Sequence, residues 1–136
     1  MIYQSAVLHN VAELFETEDT AGKGLCRIPL DVWSSLNERA KANAIQATGC
    51  EIRFNLAGEG AAVTLQMIER PAVAEVYFGS FLSAWHVVQT QPTTINITPP
   101  PNLPLLCQVA QDSGLAFDPQ LTRVVLPWRP PVRLHN

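Results

Sequence analysis

The feature that most constrains this chain is an alternation. In Glu51-Ile52-Arg53-Phe54-Asn55-Leu56, the apolar residues Ile52, Phe54 and Leu56 take every second position. Glu51, Arg53 and Asn55 take the others. A period of two places one class of side chain on each face of a β-strand. Gly58-Glu59-Gly60 then interrupts the run, and residues 61–67 are again rich in apolar side chains. Two such runs around a glycine-containing break predict a β-hairpin with a turn of about five residues.

Similar patterning recurs along the chain. Residues 6–14 read as a strand or a pair of short strands, and residues 16–24 as a polar loop with two glycines. Residues 25–29 form a short strand ending in Pro29. Residues 72–78 and 81–88 are strand-like and flank Gly79-Ser80. Residues 93–98 alternate until Pro99-Pro100-Pro101, where proline cannot continue a sheet ladder. Residues 121–126 and 132–135 complete the set. Two segments have helical spacing. Asp31 reads as an N-cap ahead of Val32, Trp33 and Leu36, so a short helix is predicted within residues 32–44. Residues 103–111 are consistent with one or two helical turns. About eight strands separated by turns, with one or two short helices, predict a mainly β chain. Its expected architecture is an antiparallel, jelly-roll-like β-sandwich.

A length of 136 residues fits one domain. Such a chain buries enough surface to fold without a disulfide or a metal. Its net charge of −3 gives no electrostatic reason to bind nucleic acid or an anionic membrane. No apolar run reaches the length of a membrane-spanning helix, and the N-terminus lacks the basic-then-apolar pattern of a signal peptide. Cys26, Cys50 and Cys107 are odd in number and have no C-x-x-C spacing. They read as reduced, mostly buried thiols of a cytoplasmic protein.

The chain offers little that resembles catalysis. Gly79-Ser80 follows an apolar run, as an esterase serine often does, but it lacks the Gly-x-Ser-x-Gly spacing. A serine also needs a base and an orienting group. Gly79-Ser80 therefore reads as a tight turn. His9, His86 and His135 stand apart without metal-ligand spacing, and Glu16, Glu18 and Asp19 read as a solvated loop. No metal or cofactor is expected. Asn96-Ile97-Thr98 is a formal glycosylation sequon that falls inside a strand-like run. Glu51 and Arg53, on the polar face of their strand, are candidate ligand contacts. Trp33 and Trp128 are the further candidates, because an indole can stack on a sugar ring and direct its N–H. Trp128, between prolines, is the tryptophan expected to meet a partner. Trp33 is expected to pack the short helix onto the sandwich, and Trp85 to lie in the core.

Several phrases together resemble the N-terminal β-sandwich domain that precedes the catalytic domain in a subgroup of SGNH (GDSL-type) esterases and acyltransferases. They are His9-Asn10-Val11-Ala12-Glu13-Leu14, Arg27-Ile28-Pro29, Gly49-Cys50-Glu51-Ile52-Arg53-Phe54, Val76-Tyr77-Phe78-Gly79-Ser80-Phe81 and Thr122-Arg123-Val124-Val125-Leu126. The resemblance covers nearly the whole chain and rests on the order and spacing of these phrases. It implies a carbohydrate-binding-like jelly roll over residues 1–136 that packs in cis on an SGNH catalytic domain. Such a domain would contribute to recognition of a carbohydrate or ester substrate. The nucleophile, oxyanion-hole and Asp-x-x-His blocks have no matching positions here. No catalytic residue is therefore placed on this chain, and no activity is expected from it alone. The alternatives are a stand-alone carbohydrate-binding module and a homo-oligomerisation module.

Overall fold

The computed structural model describes residues 1–18, 22–56, 60–114, 118 and 121–135. Among them the chain begins with β1 (Ile2–Tyr3), β2 (Ala6–His9), β3 (Glu13–Glu16) and β4 (Lys23–Cys26). Two short helices follow, α1 (Leu30–Ser34) and α2 (Glu38–Ala44). Next come β5 (Glu51–Asn55), β6 (Ala61–Met67), β7 (Ala72–Phe78), β8 (Phe81–Val88) and β9 (Thr93–Ile97). The last elements are α3 (Leu103–Asp112), β10 (Leu121–Val125) and β11 (Val132–His135).

The strands form two antiparallel sheets, one of six strands in the order β1-β2-β5-β10-β7-β8 and one of five in the order β3-β4-β11-β6-β9. Their apolar inner faces supply the core. Leu8, Ile52, Val76, Phe78 and Val124 come from the first sheet, and Val63, Leu65, Met67, Ile95 and Val132 from the second. This is the expected antiparallel sandwich. It has eleven strands among the described residues, against about eight expected, because short strands such as β1 and β3 leave little trace in sequence.

The expected hairpin is overturned. Residues 51–55 and 61–67 are strands, but they are not a hairpin. β5 pairs with β2 and β10 in one sheet, while β6 pairs with β11 and β9 in the other. The chain arches across the core between them. A hairpin sets two apolar faces side by side, and an arch sets them face to face; both need the same alternation and the same break. Glu59 and Gly58 of that break lie outside the described residues.

Local hairpins occur elsewhere. β7 and β8 are joined by Gly79-Ser80, with Phe78 paired to Phe81 and Gly79 at φ 59°. This is the two-residue connection that favours glycine in its first position. β3 and β4 form another hairpin, closed by a 3.1 Å ion pair from Lys23 to Glu16. Lys23 and Gly24 thus belong to a strand and not to the expected loop, whose Asp19 lies outside the described residues. The last two strands enter the middle of the sheets: β10 between β5 and β7, and β11 between β4 and β6.

The helix expected over residues 32–44 is two helices. Asp31 is not the cap of the first; Pro29 holds that position, and the Asp31 carboxylate accepts from the Val32 N–H at 2.7 Å. The second helix is capped by Asn37, whose side chain accepts from Ala40 N–H at 2.9 Å. α3 spans ten residues, longer than the one or two turns expected.

Thr122 sits on the inner face of β10, fully buried between the pairing partners Phe54 and Phe78. Its hydroxyl has no hydrogen-bond partner among the described residues. A buried hydroxyl without a partner is destabilising. Thr122→Val keeps the shape and removes the polar atom. It is expected to raise unfolding stability in urea by about 1 kcal/mol; a loss of stability would show that the hydroxyl is satisfied.

Candidate functional site

The outer face of the six-stranded sheet carries the densest polar arrangement that the described residues show. Because Ile52, Val124, Val76 and Leu8 point inward, the residues between them point outward. Register then aligns them in transverse rows. One row runs Ile2, Val7, Arg53, Arg123, Tyr77, Leu82. The next runs His9, Glu51, Val125, Glu75, Trp85.

The first row places Arg53 directly opposite Arg123, a pairing of like charges that disfavours the sheet. Glu51 resolves it. Its carboxylate accepts from Arg53 Nε at 2.7 Å, from Arg123 Nε at 2.9 Å and from Arg123 Nη2 at 2.5 Å. The bond from Arg123 is a two-pronged fork, the geometry in which arginine binds carboxylate most strongly. The Glu51 side chain is only 12% exposed. Its hydrogen bonds from Arg123, reinforced by Arg53 and opposed by burial, pull its carboxyl down to about 2.

Arg123 extends the network. Its Nη1 donates to the Gly79 carbonyl at 3.2 Å, tying the central strand to the β7–β8 turn. Its guanidinium lies 5.3 Å from the centre of the Tyr77 ring, within the range of a cation–π contact. Tyr77 in turn donates its hydroxyl to Glu75 at 2.9 Å, which raises the phenol's pKa. Two cations and two anions thus lie satisfied in a fixed frame across three strands, β5, β10 and β7.

Beside this frame the surface turns apolar. Val73, Leu82, Trp85 and Val87 project from the outer face of β7 and β8, and all are exposed. Trp85 is 65% exposed. The expectation of a core position for Trp85 is therefore corrected. Its strand is an edge strand, and the alternation that places Trp85 on one face does not say which face is covered. Around the start of β8 a groove of about 320 Å³ runs between Phe81, Leu82 and Ser83 on one side and Pro100, Asn102 and Leu106 on the other. A smaller crevice of about 150 Å³ opens between Tyr3, Ala6, Phe54 and His135. That volume is below what small-molecule sites usually offer.

The four residues singled out from sequence do not converge. Glu51 and Arg53 meet in the network. Trp33 instead bridges the helices: its Nε1 donates to the Lys41 carbonyl at 3.1 Å, and the Lys41 ammonium lies 5.4 Å from its ring. Trp128 is 75% exposed, and its carbonyl accepts from the Thr48 hydroxyl. Sequence reasoning missed Arg123, Tyr77, Glu75 and Leu82. The alternation of Val73, Glu75 and Tyr77 with Ala74, Val76 and Phe78 marked the outward set. The neighbour of each strand was not marked.

The histidines are dispersed. His9 lies on the outer face, His86 on the inner side of β8, and His135 bonds Gln66 at 3.0 Å. Among the described residues no group of three or more His, Cys, Asp and Glu side chains is arranged to hold a metal. Cys26 and Cys50 are buried and Cys107 is half-buried, all as free thiols. No helix among the described residues is long and apolar enough to cross a membrane. Compared with protein-family models, with curated proteins and with solved structures, the chain matches none.

Proposed function

We propose that this chain is a non-catalytic β-sandwich accessory domain that docks, by the outer face of its six-stranded sheet, on the catalytic domain of an SGNH-type hydrolase. The observation that carries the docking reading is the contiguous exposed set Val73, Leu82, Trp85 and Val87 beside a fully bonded ionic frame. A surface of this kind combines an aromatic anchor with a rigid polar rim, the composition of protein interfaces. The frame is already ordered, so docking loses little side-chain freedom there. The resemblance over nearly the whole chain is what supports an SGNH catalytic domain as the partner. The free thiols support a cytoplasmic location for the pair.

Two experiments test the reading. The coding sequence downstream of Asn136 is expected to hold a Gly-Asp-Ser-like block within a few tens of codons; an immediate stop codon would remove the partner in cis. The purified chain is also expected not to hydrolyse p-nitrophenyl acetate. Ser80 lies exposed in its hairpin turn, and among the described residues no base is hydrogen-bonded to it. Turnover lost on Ser80→Ala would overturn the non-catalytic role.

A second reading has its own observation. Trp85 lies exposed on a sheet face beside Glu75, a combination able to stack on a sugar ring and bond its hydroxyls. Saturable binding on a glycan array, lost in Trp85→Ala, would favour a carbohydrate-binding module over a docking domain.

A further inference from the structure

Each sheet of a sandwich ends in two edge strands, and an uncovered edge is a template for another strand. Three of the four edges here are short, charged or polar. β1 has two residues. β3 has four, of which Glu13 and Glu16 are charged. β9 carries Thr93, Thr94 and Asn96 and stops before three prolines. β8 differs from all of them. It has eight residues, Phe81-Leu82-Ser83-Ala84-Trp85-His86-Val87-Val88, with no Lys, Arg, Asp, Glu or Pro. No strand among the described residues pairs with its outer side.

We propose that β8 is an interface strand, and that two copies of this chain join β8 to β8 antiparallel about a two-fold axis. The two six-stranded sheets then become one continuous sheet of twelve strands. Three observations point to a second copy as the occupant. First, antiparallel pairing of a strand with itself is self-complementary, as a two-fold interface must be. Registers that keep outward side chains together set Trp85 opposite Trp85 or Val87 of the second copy, and aromatic–aromatic and aromatic–β-branched pairs are favourable across strands. Second, self-pairing stacks like against like, so a charged edge repels its own copy. β3 would oppose glutamates, whereas β8 opposes none. Third, the core is open beside this edge. A cleft of about 120 Å³ lies between Ala84 and His86 of β8 and Asn96 and Ile97 of β9. A strand added to β8 would narrow that opening.

This inference does not depend on the hydrolase reading, and it is tested on this chain alone. Sedimentation velocity from low to several hundred micromolar is expected to show a reversible monomer–dimer equilibrium. Val87→Lys, which brings like charges to the axis, is expected to weaken association about tenfold or more. Val7→Lys, an equally exposed site at the far end of the same sheet, is expected to leave association unchanged. Should Val87→Lys melt early, Trp85→Lys provides the same reading at a more exposed position. A wild-type chain that stays monomeric throughout would overturn the proposal. So would a dimer that both β8 variants leave intact, or one that Val7→Lys weakens equally.

Discussion

Glu51→Gln is expected to destabilise the domain by about 2 kcal/mol, a fall in melting temperature of roughly 6–10 °C. The substitution keeps the shape and removes the charge. Arg53 and Arg123 then face each other across β5 and β10 with no anion between them. A neutral amide cannot accept the three charged hydrogen bonds that Glu51 now accepts. Breaking a fully buried ionic group costs about 3–5 kcal/mol. The arginine side chains here are 32% and 27% exposed, so water recovers part of that loss. The pH dependence has a definite sign. The folded-state pKa of Glu51 is depressed, from an ordinary 4.5 to about 2. Its contribution is therefore fully present above the ordinary value and is lost as pH falls from there towards 2. Thermal melts between neutral and acidic pH should show the wild type losing stability over that interval, with a shallower loss in Glu51→Gln. Equal melting temperatures at neutral pH, or identical acid slopes, would mean that the network does not hold the sheet.

Trp85→Ala is expected to leave the fold intact and to lower docking affinity for a separately produced hydrolase domain about thirtyfold, the equivalent of about 2 kcal/mol. The two halves of this expectation have one cause. A side chain that is 65% exposed in the free domain contributes little to its core. The same exposure makes it the largest apolar side chain that the outer face of β7 and β8 offers for burial against a partner. Titration calorimetry on the wild type, Trp85→Ala and Trp128→Ala would read the effect. Loss on Trp128→Ala with none on Trp85→Ala would move docking from the sheet face to the segment after β10. Unchanged affinity in both would remove the tryptophans from the interface.

Much of the fold is legible from alternation alone, because alternation reports a local property. Residues 51–55, 61–67, 72–78 and 93–97 are strands where the pattern places them. Pairing is not local. The arch from β5 to β6 and a hairpin have the same alternation and the same glycine break, and the choice between them depends on β10 occupying the place beside β5. The site follows the same division. Glu51 and Arg53 stand out because they are charged on a half-apolar strand. Arg123 lies 72 residues further along the chain from Glu51, so its contact with that carboxylate depends on the register of β5 against β10. Trp85 was misplaced for a related reason: the pattern separates two faces and does not tell which one another sheet will cover. The Asn37 cap divides the predicted helix, and its Ala40 contact is visible only once the chain has turned at residues 35–37.

The central placement of β10 and β11 has a consequence for biosynthesis. Until residue 125 has left the ribosome, the six-stranded sheet exists only as two unjoined parts, β1-β2-β5 and β7-β8. Until residue 135 has emerged, β3-β4 and β6-β9 stand apart in the same way. Pairings of such long sequence separation close slowly, in about milliseconds to seconds. The nascent chain therefore presents its strand edges, β8 among them, to the cell before it can bury its core. The interval over which those edges stay open cannot end before the last two strands have been translated.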